Sequence, residues 1–323
     1  MNDGVFEKNK EHYVSLIYNK LVECQLRVKV PVVKKFICLG TPEDLEQYLF
    51  WFNYFKNKRK KSITFKNLVN VIPMAGEGQR FKNYGYNISK PLIQISSTPM
   101  VIKSCNSFPV PESWVFILRY NDNKKFNIQK KIENTFFNTK IISIKKATTG
   151  QAITCLYAKN VIADGKSIYV ASADYELYFD QEKFLSEIIN SKNNKADVVV
   201  FTKQLKGNQI KDPKAFGYCV LDKYQNVLKI VEKSTISNRP GFDPLIVGSF
   251  WFRSSKLFFY LLKQIAKHNV KVNNEHYIAN GLNMLIEKNY NIVSFEVESW
   301  VSFGDPFELE LYYYWEDYFN QKK

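Results

Sequence analysis

The chain has 323 residues, 45% of them apolar and 15% aromatic, enough to bury a full core and too apolar for a disordered chain. Its net charge of +15 suits anionic small molecules such as nucleotides and sugar phosphates, and without a nucleic-acid-binding motif beside it no nucleic-acid partner is expected. No apolar run approaches the ~20 residues that cross a bilayer, the N-terminus is polar, and the five cysteines have neither metal spacing nor a disulfide framework, so reduced thiols in a cytoplasm and no membrane insertion are expected.

Residues 11–55 repeat a later part of the chain at a constant offset of 264, as between His12 and His276 or Gly40 and Gly304. Fifteen of these forty-five positions are identical without a gap, where chance gives roughly three, and the match is read as a duplication. The segment is predicted as a helix near 11–26, a strand near 32–38 and a helix opening at Pro42 with Thr41 as its N-cap. The apolar side chains Phe36, Leu39, Leu45, Leu49, Phe50 and Trp51 are expected to pack on the later unit or on a second chain. Residues 57–65, which hold most of the basic run Lys56 to Lys61 (KNKRKK), read as a linker.

From residue 66 strands and helices alternate, which argues a layered α/β domain. Leu68 to Ile72 reads as a buried strand that passes into Gly76-Glu77-Gly78-Gln79-Arg80. Two glycines about a turn let backbone N–H groups approach an anion. Arg80 can fork onto phosphate oxygens, and Lys90 adds a second positive charge. A helix is expected at 100–107, strands at 114–119 and 140–144, and a helical stretch between them. Thr148-Thr149-Gly150-Gln151-Ala152 then opens a helix with Thr149 as its cap. Ser167 to Ser172 reads as a strand ending at Asp174, the end at which open α/β sheets place their ligands. Beyond it lie Gly217, the pair Glu232-Lys233, a strand containing Gly248, and His276, read as structural.

The stretch IPMAGEGQRF followed by SKPLI resembles the signature of the sugar-phosphate nucleotidyltransferases, which make NDP-sugars, in the form found in capsule and lipopolysaccharide gene clusters. Ser89 departs from the proline usual before the lysine. The resemblance covers about 66–319 and extends to Gly40-Thr41-Pro42-Glu43-Asp44-Leu45, which matches the family's closing element. Residues 1–56 therefore look like the tail of a preceding unit, and 66–323 like a whole one. The resemblance implies a three-layer, Rossmann-like fold of the GT-A type, with a mixed, mostly parallel sheet flanked by helices. It implies Arg80, Lys90 and Asp174 as catalytic residues, with Asp174 holding Mg2+. Nucleotide contacts would come from Ala75, Gly76, Glu77, Gly78, Gln79, Arg80 and Lys90, and base contacts from Gly150, Gln151 and Ala152. Gly217, Glu232, Lys233 and Gly248 would face the acceptor.

The reaction so implied joins an NTP to a phosphorylated small-molecule acceptor, such as a sugar 1-phosphate, with release of pyrophosphate, for surface polysaccharide synthesis. Many family members carry a second metal-binding aspartate before the Gly-Thr-Pro element, where this chain has Trp300-Val301-Ser302-Phe303, and Asp305 follows the glycine instead. Two other readings stand beside this one. A GT-A-type glycosyltransferase would use Asp174-x-Glu176 as its metal motif, and a regulatory, non-catalytic module would bind ligand alone. A homo-oligomer is compatible with all three.

Overall fold

The computed structural model describes residues 7–8, 11–56, 63–190, 196–205 and 212–320. Most of the basic linker lies outside the described residues. The chain divides into two compact units, Met1–Cys38 and Leu39–Lys323, so residues 42–56 belong with the larger unit. Among the described residues no helix is long and apolar enough to cross a membrane.

In the smaller unit Glu7–Lys8 pairs with Glu11–His12, and helix α1 (Val14–Glu23) follows. This helix buries no side chain. The strand expected at 32–38 does not form. A strand is held by its neighbours, and the later segments that match this one each have a neighbour. Glu296, the match of Val32, ends a strand (Ile292–Glu296) that pairs with Val198–Lys203, and Ser299–Ser302 pairs with Tyr175–Tyr178. The smaller unit supplies no such partner among its described residues, and Val32 and Phe36 stay 96% and 73% exposed.

The larger unit is built on a nine-stranded sheet. Its strands are β1 (Leu68–Met74), β2 (Ser113–Arg119), β3 (Thr139–Ile144), β4 (Ser167–Val170), β5 (Val198–Lys203), β6 (Gly217–Leu221), β7 (Val227–Glu232), β8 (Leu245–Phe252) and β9 (Ile292–Glu296). The spatial order is β7-β6-β8-β4-β1-β2-β3, with β5 and then β9 on the other edge of β8. Only β7 and β8 run against the rest, so the sheet is mixed and mostly parallel, as expected.

Strand composition explains why both faces are covered. In β2, Trp114, Phe116 and Leu118 enter one core while Val115 and Ile117 enter the other. In β5, Val199 and Phe201 alternate with Val198 and Val200 in the same way. Strands apolar at every position need helices or loops on both sides. Helix α3 (Ser255–Lys267) supplies part of one layer through Phe258, Leu261, Leu262 and Ile265.

Two further helices have matching bounds at the repeat offset, α2 (Pro42–Lys56) and α4 (Pro306–Asn320). Thr41 caps α2 as expected, its hydroxyl accepting the Asp44 N–H at 3.1 Å. The buried side of α2 is aromatic. Trp51 and Tyr54 are buried, whereas Leu39, Leu45 and Leu49 remain exposed, against expectation. The Trp51 indole stacks on Trp315 at 6.3 Å between centroids. The Tyr54 hydroxyl donates to the buried carboxylate of Glu176, which also accepts from Tyr178 at 2.6 Å.

Truncating Trp51 to alanine should therefore cost about 3–5 kcal/mol of the larger unit's stability, the range for a buried indole. Val32→Ala should stay within about 0.5 kcal/mol. Urea denaturation of the two variants checks this, and equal effects would show that α2 is not held by its aromatic face.

Candidate active site

A cleft of about 420 Å³ opens where β1 and β4 end. Its wall is the turn from Ala75 to Arg80, which leads from β1 into the short helix Gln79–Asn83. Gly78 takes a left-handed conformation, φ 65°, and a Cβ there would stand 3.2 Å from Cβ of Lys90. The glycine thus lets the turn close onto the lysine segment. The backbone N–H groups of Gly76, Glu77, Gly78, Gln79 and Arg80 make no hydrogen bond to another group among the described residues. Consecutive unclaimed N–H groups on a cleft wall suit an anion.

Lys90 and Asp174 meet within this cleft. The Lys90 ammonium donates to Oδ2 of Asp174 at 2.7 Å and to the Gly304 carbonyl at 2.9 Å, and lies 5.4 Å from the centroid of Phe81. Arg119, at the end of β2, braces the surroundings. It forks onto both oxygens of Asp122 at 2.8 and 3.0 Å and stands 3.6 Å from Glu77. Asp122 also accepts from Ser89 at 3.2 Å, which gives the serine before Lys90 a bond that proline could not make. Sequence reasoning missed Arg119 and Asp122, because their spacing looks like an ordinary pair at the start of a helix.

Arg80 reaches the opposite way. Its side chain is 72% exposed and stands 3.7 Å from Asp305, between the first cleft and a second of about 300 Å³ that it also lines. Asp305 caps α4: its Oδ1 accepts the Glu308 N–H at 3.0 Å, and Glu308 accepts the Asp305 N–H at 3.1 Å. This reciprocal capping box occupies the residue considered as the second metal aspartate. Glu308 was also missed, although an acidic residue three positions after an N-cap was the available signal. Burial pushes its carboxyl above the ordinary range, with the charges of Asp305 and Asp174 adding to the effect. Among the described residues no three His, Cys, Asp or Glu side chains gather as a metal cage. Asp174, 29% exposed, fits a site in which one carboxylate shares Mg2+ with substrate phosphates.

The turn at 148–152 is built differently from expectation. Gly150 is itself the N-cap, with no side-chain cap, at φ 121°, and a Cβ there would strike the His276 backbone at 2.6 Å. The Thr149 hydroxyl pairs with Nδ1 of His276 at 2.9 Å, so it does not cap the helix. Ala152 is fully buried and gives its N–H to the His276 carbonyl at 3.1 Å, which leaves it nothing to offer a base. Of this region Ala147 and Thr148 line the cleft, whereas Gly150, Gln151 and Ala152 do not. His276 is buried and structural, as read from the sequence.

The four residues assigned to the acceptor do not line the first cleft. Gly217 pairs with Glu232 across β6 and β7, and leaves room for a carboxylate that would be 2.7 Å from a Cβ. Lys233 donates to the Ala215 carbonyl and stands 5.3 Å from the ring of Tyr277. The Tyr277 hydroxyl donates to Glu275, which lines the cleft. Gly248 sits in the irregular part of β8, 3.6 Å from Tyr175 for a built Cβ. Glu176 belongs to neither cleft, being sealed beneath Tyr54, so Asp174 and Glu176 do not converge as a paired metal motif.

Residues 69–318 match the nucleotidyl transferase family, and the chain belongs to it. Over 242 residues the chain is 25% identical to a bifunctional sugar-1-phosphate nucleotidylyltransferase/acetyltransferase from Sulfurisphaera tokodaii. That match takes in 73% of this chain and 52% of the relative, so the chain spans about half the relative's length. Among solved structures, the nucleoside-diphosphate-sugar pyrophosphorylase of Vibrio cholerae RC9 superposes with a TM-score of 0.61 at 22% identity, covering 75% of this chain and 98% of that one. The inositol-1-phosphate CTP transferase of T. maritima gives 0.58 at 12% identity, covering 77% and 94%. The fold is shared with both.

Burial raises the Glu232 carboxyl from its ordinary 4.5 to about 7, with Lys233 pulling the other way. The folded chain therefore holds this proton more tightly than the unfolded chain between those values. Its contribution favours the folded state at low pH and is lost as pH rises through about 7. Thermal melts from pH 5 to 8 should show a shallower decline for Glu232→Gln than for the natural chain. The difference between the two isolates this group from Glu308, and parallel declines would refute the assignment.

Proposed function

We propose that the chain is a nucleotidyltransferase that condenses an NTP with a phosphorylated small-molecule acceptor to give an NDP-linked product and pyrophosphate. The carrying observation is the run of unclaimed N–H groups from Gly76 to Arg80 on a cleft that also holds the Lys90–Asp174 pair. An acceptor phosphate oxygen attacks the α-phosphorus, the bond from that phosphorus to the bridging β-oxygen breaks, and pyrophosphate leaves with the electron pair. The attacking oxygen is already anionic, so no general base is required. The barrier lies in bringing two anions together and stabilising charge at the α-phosphate.

In this reading the Gly76–Gly78 backbone and Arg80 hold the β- and γ-phosphates and the leaving group. Lys90 neutralises the α-phosphate region, and Lys233 serves the acceptor phosphate. Asp174 would hold Mg2+ together with the phosphates, the ion supplying charge neutralisation when bound. The activities named for these relatives point to 1-phosphate acceptors. Supply of an activated sugar for surface polysaccharide in the cytoplasm fits the form of the IPMAGEGQRF and SKPLI motifs. The burial of Glu176 away from both clefts disfavours the glycosyltransferase alternative.

Pyrophosphate release, measured for four NTPs against pooled sugar, polyol and amine phosphates with Mg2+, tests the reading. Activity with at least one pair is expected, and none with any pair would overturn it. Asp174→Ala should abolish turnover in a chain that still folds, since Asp174 is a strand-end side chain outside the cores. Arg80→Ala and Lys90→Ala should each remove about 2 kcal/mol or more of transition-state stabilisation. A loss below about threefold in kcat/KM for either would place that residue away from the phosphates.

A further inference from the structure

Helices α2 and α4 touch through their aromatic faces, and the contacts obey a rule. When each residue is replaced by its match at the offset of 264, nearly every ring contact maps onto another that is present. Tyr48 meets Trp315 at 6.0 Å and 64°, and its image, Trp51 with Tyr312, stands at 6.2 Å and 68°. Tyr48 with Tyr318 at 6.2 Å and 75° is mirrored by Tyr54 with Tyr312 at 6.1 Å and 83°. Tyr48 with Phe319 at 5.9 Å and 44° is mirrored by Phe55 with Tyr312 at 5.7 Å and 47°. Two contacts map onto themselves, Trp51 on Trp315 and Phe55 on Phe319. The contact between Phe52 and Phe319 has no image because Glu316, the match of Phe52, has no ring.

Reciprocal contacts of i with j and j with i, with self-paired residues at the centre, define a two-fold, isologous interface. Such an interface is ordinarily made between two copies of one surface. Here both copies lie in one polypeptide. We propose that residues 42–56 are a duplicate of helix 306–320, and that α2 stands where the α4 helix of a second copy of this chain would dock. The proposal concerns association and is independent of the nucleotidyl transfer reading.

The pairing also reaches the second cleft. Phe50 and Trp51 line it together with Arg80, Asp305 and Trp300. Their matches are Tyr314 and Trp315, so in a dimer of the same two-fold geometry those two side chains of the second copy would close the cleft. The internal helix thus supplies in cis a wall that a second subunit would supply in trans, and holds the chain apart from its own kind on this face.

The test uses the full chain with Cys24 and Cys38, the exposed thiols, replaced by serine. Trp51→Asp puts a charge into the indole stack to expel α2, and light scattering should then give the mass of two chains. Adding Trp315→Asp should restore the mass of one. In the Trp51→Asp background, Phe319→Cys should form an interchain disulfide, because a self-paired residue faces its own image across a two-fold. A thiol at Phe307→Cys, about 15 Å along the helix from that centre, should not, and with Trp51 intact neither position should link two chains. The milder Tyr48→Ala/Phe55→Ala is carried in parallel and decides by the same readouts if Trp51→Asp is insoluble. A single-chain mass after α2 is displaced, equal crosslinking at 307 and 319, or linkage through 319 with Trp51 intact would each overturn the proposal.

Discussion

The ammonium group of Lys90 is the knot on which the cleft depends. It comes from the segment after the glycine turn and is only 19% exposed, so its donors must be met by the protein or by a ligand. It meets them 84 residues away at Asp174 and 214 residues away at Gly304. A backbone bond of 2.7 Å from Phe303 N–H to the Asp174 carbonyl fastens the same junction. Gly304 leads directly into the Asp305 cap of α4, and α4 carries the aromatic seam with α2. The glycine turn, the Asp174 carboxylate and the C-terminal helix are therefore positioned by one short set of bonds.

Arg80 divides the site into two. Its long, exposed side chain borders both clefts and is held only loosely by Asp305 at 3.7 Å. An exposed pair at that distance contributes little to stability, so the guanidinium can leave it at small cost. Lys90 has no such freedom. The two cations thus differ in kind, one fixed at the floor and one swinging at the border.

Much of this was readable from the sequence because it rests on local rules. Apolar runs at 68–72 and 167–170 became central strands, and Gly78 had to precede Arg80 for the turn to close on Lys90. What escaped depends on distant neighbours. Residues 32–38 have the composition of a strand but, among the described residues of their unit, no strand beside them. Thr149 looked like a cap, yet the chain at His276 arrives from 127 residues away and takes its hydroxyl. Ala152 looked like a base contact until the same backbone claimed its N–H. Glu176 is two residues from a cleft carboxylate, and only the arrival of Tyr54 from α2 shows that it is sealed. In the last three cases a polar group found its partner far along the chain, and no spacing within the motif records that choice.

The indoles of Trp51 and Trp315, tilted by only 15° and 6.3 Å apart, are near enough for their electronic transitions to couple. Indoles held in a fixed asymmetric setting contribute to near-ultraviolet circular dichroism, the region that reports tertiary packing. The seam between α2 and α4 therefore carries its own optical signature, which vanishes when the helices part even if the backbone of each stays helical.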